Sequence, residues 1–149
     1  MYTHILIATD GSELAQRGVD QGLSLAKALG SKVTLLTATE PFPIQGGAIG
    51  SGWIASPTDY ARYDEGQKEF AASVLSAAKN IAGKQGVKVD TLHVADVHPA
   101  TAILEAAASR ECDLIVMASH GRRGIGRLLL GSQTSEVLAH SQTAVLVVR

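Results

Sequence analysis

A doubly wound, Rossmann-like α/β fold, a parallel sheet with helices on both faces, is predicted by three features of the chain. Apolar runs of strand length alternate with segments of helical periodicity in the order β-α-β-α-β-α-β-α-β, the pattern of a parallel sheet joined by helical crossovers. The runs Ile5-Leu6-Ile7-Ala8 and Leu114-Ile115-Val116-Met117 are apolar without alternation, as strands covered on both faces are. The hydrophobic share is 46% and the aromatic share only 4%, so the core is built from Ala, Val, Leu and Ile, which suit helices packed closely on such a sheet. Right-handed crossovers restrict the topology further.

The first strand, His4 to Thr9, ends in Asp10-Gly11-Ser12, turn chemistry followed by a helix N-cap. Ala15, Gly18, Val19, Gly22, Leu25, Ala26 and Leu29 then recur at helical spacing, and Gly30 stops the helix. Lys32 to Thr39 is the second strand. From Glu40 to Pro57, three prolines and four glycines break the rhythm. A long loop inside a compact domain is usually functional or mobile. Its apolar members Phe42, Ile44, Ile49, Trp53 and Ile54 either cover a pocket or pack on the surface.

A second helix is predicted from Asp59 to Gly83, with Phe70, Val74, Ala77, Ala78 and Ile81 on one face. Val87 to Ala95 reads as the third strand. Pro99 suits the first turn of a helix that Ile103, Ala106 and Ala107 carry towards Arg110. Asp113 to Ser119 is the fourth strand, Ser135 to His140 an amphipathic segment, and Thr143 to Val148 the fifth strand. No linker, repeat or low-complexity tract divides the chain, so residues 1–149 are expected to form one domain.

A formal net charge of -1 gives no electrostatic footprint for nucleic acid or an anionic membrane. The single cysteine, Cys112, excludes an intramolecular disulfide and a cysteine-only metal site, and reads as a small buried filler. His4, His93, His98 and His140 show no metal-ligand spacing. No apolar run reaches the length of a membrane span and no signal-like stretch opens the chain, so a cytoplasmic protein is expected. Walker Gly-x4-Gly-Lys-(Ser/Thr) and Gly-x-Ser-x-Gly are missing, and Asp10 lacks a second aspartate two residues on. These absences argue against a motor or switch NTPase, an α/β-hydrolase and an aspartyl-phosphate phosphatase.

The functional reading centres on Ala118-Ser119-His120-Gly121 and, nine residues further, Gly131-Ser132. An apolar strand precedes this stretch and a helix follows it. A loop between a strand end and a helix start presents unpaired N–H groups and the positive end of the helix dipole, a combination that suits phosphate. Gly121 and Gly131 allow the main chain to approach a ligand or to take positive φ. The Ser132 hydroxyl either caps the helix or donates to a phosphate oxygen. Taken alone, the spacing is equally that of a plain connection. Doubly wound sheets, however, bind ligands where the strand order reverses. If the first and fourth strands are neighbours there, Thr9 to Ser12 and Ala118 to Ser132 face one crevice.

Four runs carry a family likeness in order and essentially end to end. They are Ile5 to Ser12, Asp113 to Gly121, Leu128 to Ser132, and Val145 to Val148, and they resemble the universal stress protein family. The resemblance implies a five-stranded parallel sheet of order 3-2-1-4-5 and a homodimer in which the last strands of two subunits meet. ATP-binding members share Gly-x2-Gly-x9-Gly-(Ser/Thr). Here Gly121, Gly131 and Ser132 match, while Ala118 stands at the first glycine. Ala144, where many relatives have proline, is a second departure.

The resemblance carries Ala8 and Asp10 to the adenosine and Ala38 to the adenine. Thr9, Ser119, His120, Arg122, Gln133 and Thr134 complete the candidate cofactor-binding set. Asp10 holds the turn and can also meet a ribose hydroxyl. Arg122, Arg123 and Arg127 either meet phosphate charge or are solvated. His120 contacts the nucleotide or is held by a backbone hydrogen bond. The implied cofactor is ATP or AMP, with Mg²⁺ carried on the phosphates. No general base or nucleophile is evident, so any ATP hydrolysis is expected to be slow. Three functions stand: a nucleotide-binding regulatory module, a stress protein working through protein contacts alone, and an enzyme or electron-transfer subunit with an adenine-containing cofactor.

Overall fold

The computed structural model describes residues 1–43, 54–121 and 129–149. Its elements are β1 (His4–Ala8), α1 (Glu13–Leu29), β2 (Lys32–Thr39), α2 (Pro57–Gln85), β3 (Val89–Ala95), α3 (Pro99–Ser109), β4 (Leu114–Ala118), α4 (Ser132–His140) and β5 (Ala144–Val148). The five strands form one parallel sheet of order β3-β2-β1-β4-β5, the fold class and order expected. In the centre, Ile5 lies opposite Val33 on one side and Leu114 on the other.

Side chains alternate across a strand, so each strand feeds two cores. Ile5 and Ile7 join Val19 and Leu23 of α1 and Leu75 and Ala78 of α2. Leu6 points the other way, into Ile103 and Ala106 of α3 and Val137 of α4. The crossovers from β1 through β2 to β3 run one way and those through β4 to β5 the other. Right-handedness therefore puts α1 and α2 on one face, α3 and α4 on the opposite one. The reversal falls between β1 and β4, and a crevice opens at their carboxyl ends.

Local chemistry sets the helix ends. Ser12 Oγ accepts from Ala15 N at 3.2 Å as the α1 N-cap, and Gly30 closes that helix at φ 69°. α1 buries Leu23, which the periodicity passed over, and leaves Leu29 43% exposed. α2 is longer than predicted at both ends. Ser56 and Asp59 form a capping box ahead of Pro57, and Gly86 ends the helix. Its buried face is Ala71, Leu75, Ala78 and Ala82, with Ala77 exposed, so the expected face is displaced. Alanines occur all round this helix, which blurs the period. β3 begins at Val89 rather than Val87, because Gly86 and Val87 still belong to the helix C-cap, where Val87 N donates to Ala82 O at 2.9 Å.

At the opposite edge of the sheet from the crevice, the Asp113 carboxylate accepts from Thr3 N at 2.8 Å, Thr3 Oγ1 at 2.9 Å and His4 N at 3.0 Å. These bonds, the backbone bond to Thr3 foremost, hold its carboxyl below the ordinary carboxylate range. Cys112 beside it is 6% exposed. Burial pushes its thiol up to about 11, in keeping with a filler.

Candidate functional site

The two loops expected to meet do meet. Beyond β1, Thr9 N donates to Leu36 O at 2.9 Å, and Thr37 Oγ1 donates to Thr9 O at 2.8 Å. Asp10 Oδ1 accepts from Ser12 N at 2.9 Å, so Asp10 holds the turn into α1. Its Oδ2 lies 3.1 Å from where a Cβ on Gly121 would stand, which puts the carboxylate against the loop that follows β4.

That second loop is anchored at its root. Ser119 N donates to Val148 O at 2.8 Å, and Gly131 N donates back to Ser119 O at 2.8 Å. Thr134 Oγ1 reaches the Ala118 carbonyl at 2.9 Å. The main chain thus leaves β4 at Ser119 and returns to it at Gly131. A Cβ on Gly131 would lie 3.2 Å from Ser119 O and 3.3 Å from His120 Cα. Close approach is what glycine supplies here. Gly131 has φ −61°, and Gly121 is not among the positive-φ glycines of the described residues, so that part of the expectation is not met.

Gly131, not Ser132, is the N-cap of α4, and among the described residues no side chain caps the helix. α4 begins at Ser132, before the amphipathic stretch, because its first turn borders the crevice and carries no apolar period. Ser132 itself is exposed and lines that crevice. His120 also departs from expectation: its Nδ1 lies 3.1 Å from Ser119 Oγ, not on a backbone group. Its Nε2 is enclosed and has no hydrogen-bond partner among the described residues.

A cleft of about 890 Å³ occupies the switch point. Of the candidate residues, Ala8, Thr9, Asp10 and Ala38 line it from the first two strands. Ala118, His120, Gly121, Gly131, Ser132, Gln133 and Thr134 line it from the β4–α4 side. Ser119 is buried behind the wall at 3% exposure and does not line it. Arg122, Arg123 and Arg127 lie outside the described residues, as do Ile44, Ile49 and Trp53.

One wall is an apolar slot. Ala8, Leu36, Ala38 and Met117 point to the α3 face, where Ile103 and Pro99 close it. The opposite wall was missed in the sequence. Tyr63, Gln67 and Phe70 project from α2 at i, i+4 and i+7, joined by Thr39 and Glu40 at the end of β2. Tyr63 OH donates to Glu40 O at 2.8 Å and accepts from Gln67 Nε2 at 3.0 Å. Burial, then the Glu40 carboxylate, raise the Tyr63 phenol above its ordinary range, so it stays a neutral donor. The signal was the polar i, i+4 pair Tyr63 and Gln67 beside Phe70. Of the apolar loop residues, Phe42 packs on Tyr60 and Tyr63 with ring centroids 4.6 and 5.3 Å away, whereas Ile54 is 87% exposed.

The alanine at the first motif position is accommodated. Leu114 and Val116 belong to the core under α1 and α2, so by alternation the Ala118 methyl points to that face. α1 presents bare Gly18 there, where a Cβ would stand 3.7 Å from Ala118 N. Among the described residues, no cluster of His, Cys, Asp and Glu suits a metal ion, and no helix is long and apolar enough to cross a membrane.

The model of the Universal stress protein family matches residues 1–149. A universal stress protein of Methanocaldococcus jannaschii is 31% identical over 149 residues, 100% of this chain and 83% of that one. The solved structure of a hypothetical protein whose biochemical function was assigned from its structure superposes with a TM-score of 0.81 at 28% identity, covering 99% of this chain and 96% of that one. A universal stress protein in complex with cAMP superposes with a TM-score of 0.72 at 29% identity, covering 99% and 97%.

Proposed function

Since the chain belongs to the universal stress protein family, we propose that its cleft binds an adenine nucleotide and that the protein is a regulatory binding module of the stress response. The observation that carries this reading is the start of α4, which no described side chain caps, held against β4 by the 2.8 Å bond from Gly131 N to Ser119 O and opening on the cleft. The first-turn amides of α4 receive the phosphates, with the helix dipole behind them. The base enters the apolar slot at Ala8 and Ala38, and a ribose hydroxyl donates to Asp10. Thr9, His120, Gly121, Ser132, Gln133 and Thr134 complete the site. Ser119 and Arg122 also belong to it, Ser119 from behind the wall. A relative at 29% identity solved with cAMP supports an adenine nucleotide as the ligand.

ATP and AMP are the ligands proposed, Mg²⁺ entering with the triphosphate. Turnover is at most slow, since no described residue of the cleft is arranged as nucleophile and base. The protein is proposed to be cytoplasmic, a single domain over its 149 residues. It pairs with a second copy through β5, which bonds only β4 among the described residues and carries half-buried Val145, Leu146 and Val147 at a sheet edge.

Titration calorimetry with ATP, AMP and a flavin cofactor tests the reading. Saturable heat with ATP or AMP, abolished in Gly131→Val, is the expected result. Absence of heat with every nucleotide, in protein shown to be folded by circular dichroism, overturns it and leaves protein contacts as the mode of action. A protein that purifies yellow would point to an electron-transfer role instead.

A further inference from the structure

Gln133, the second residue of α4, lines the cleft beside Pro99. Its side-chain oxygen accepts from the backbone N–H of Ala100 at 2.9 Å. α3 needs that acceptor: His98 at its N-cap makes no capping bond, and Pro99 at its first position has no N–H to offer. The bond also settles which way the carboxamide faces, because only its oxygen can accept from an N–H. The NH₂ is therefore turned away from α3, and no acceptor among the described residues takes it up. Towards the cleft Gln133 is a donor that no described residue accepts from.

The slot beside it is lined by apolar side chains, while Thr39, Tyr63 and Gln67 stand on the opposite wall of the cleft. Ala8 and Ala38 keep it open, and Leu36, Ile103 and Met117 form its floor and side. A planar base held there by burial alone would be bound without being identified. We propose that Gln133 reads the Watson–Crick edge of a purine in this slot, donating to an unprotonated ring nitrogen and so selecting adenine over hypoxanthine and guanine. This rests on the nucleotide reading given above. Adenine N1 is an acceptor. In hypoxanthine and guanine N1 carries a proton, which would face the Gln133 NH₂, donor against donor, and leave both unpaired in a partly desolvated site.

The test is titration calorimetry with AMP and with IMP, which share ribose and phosphate and differ at the base edge. Wild-type protein is expected to bind AMP more tightly than IMP by roughly ten-fold or more. Gln133→Glu keeps an oxygen for Ala100 N–H but replaces the donor by an acceptor, and the preference should invert. Any repulsion between the new carboxylate and the phosphate is common to both ligands and cancels in the ratio. Gln133→Met, which removes donor and acceptor together, should bring the ratio close to one. Equal affinities in wild type, or an unchanged ratio in folded Gln133→Glu or Gln133→Met, overturn the role of Gln133 and leave the nucleotide site standing. If wild type binds neither nucleotide, both readings fall.

Discussion

Replacing Gly131 by alanine adds one methyl group at the point where the chain returns to β4. The methyl carbon would stand 3.2 Å from Ser119 O and 3.3 Å from His120 Cα, whereas ordinary contact begins at 3.4 Å. Both neighbours are main chain, so no side chain can rotate aside. Ser119 O is also the acceptor for Gly131 N at 2.8 Å, which resists separation. The start of α4 must therefore shift by a few tenths of an ångström. With φ at −61° the backbone is unstrained for alanine, so packing alone sets the cost. Overpacking of this kind costs about 1–3 kcal/mol, and alanine returns about 0.5 kcal/mol by restricting the unfolded chain. A net loss of about 1 kcal/mol lowers Tm by roughly 2–4 °C in a chain of this size. Misaligning one charge-assisted phosphate bond should weaken AMP binding by about ten-fold. Differential scanning calorimetry and AMP titration on the same preparation check both. A Tm within about 1 °C of wild type together with unaltered affinity would refute the claim that bare backbone is required there.

Gly22→Ala should be worse for stability while remote from the cleft. Its Cβ would meet fully buried Ile7 at 2.6 Å from Cδ1 and 2.9 Å from Cγ1, so the urea midpoint should fall by the equivalent of about 2–3 kcal/mol. Gly66→Ala, with nothing within 4 Å in the middle of α2, should instead raise it by about 0.5–1 kcal/mol; a fall would contradict the open position. The Asp113 carboxyl has its folded pKa depressed, so its contribution is complete above the unfolded value of 3.8 and is lost as pH falls from there through the folded value. The stability difference between wild type and Asp113→Asn should therefore be flat near neutrality and shrink on acidification below that value, and a gap that stays constant there would dismiss the hydrogen bonds as its origin. Cys112, with its thiol at about 11, should be unreactive to a disulfide reagent near pH 8 until the chain is unfolded. Rapid labelling of folded protein would count against its burial.

The sheet could be read in the sequence because its central strands carry uninterrupted apolar runs, as at Ile5 to Ala8 and Leu114 to Met117, bounded by Gly, Asp and Ser. Ser12, Gly30 and Pro99 fell where their backbone chemistry requires. Helix phase was harder wherever alanine dominates, since Ala77 and Ala78 are equal as letters and only the second is buried. The close approach of main chain at Gly131 was legible because glycine marks such places. The α2 wall was not, because Tyr63 and Gln67 reach the cleft through a crossover whose geometry no local pattern encodes. Which of their two alternative roles Ser132 and His120 take was not legible either, for a related reason. A cap and a ring hydrogen bond depend on where the next helix starts, and α4 starts in a turn that buries little apolar surface.

The orientation of the helices has one more consequence. Every connection in the sheet runs from a strand end back to the next strand start, so α1, α2, α3 and α4 all begin on the same side of the molecule. Their peptide dipoles point the same way, so the partial positive charges of four helix starts gather on the side where the crevice opens. That contribution belongs to the backbone and is present at the crevice independently of any charged side chain.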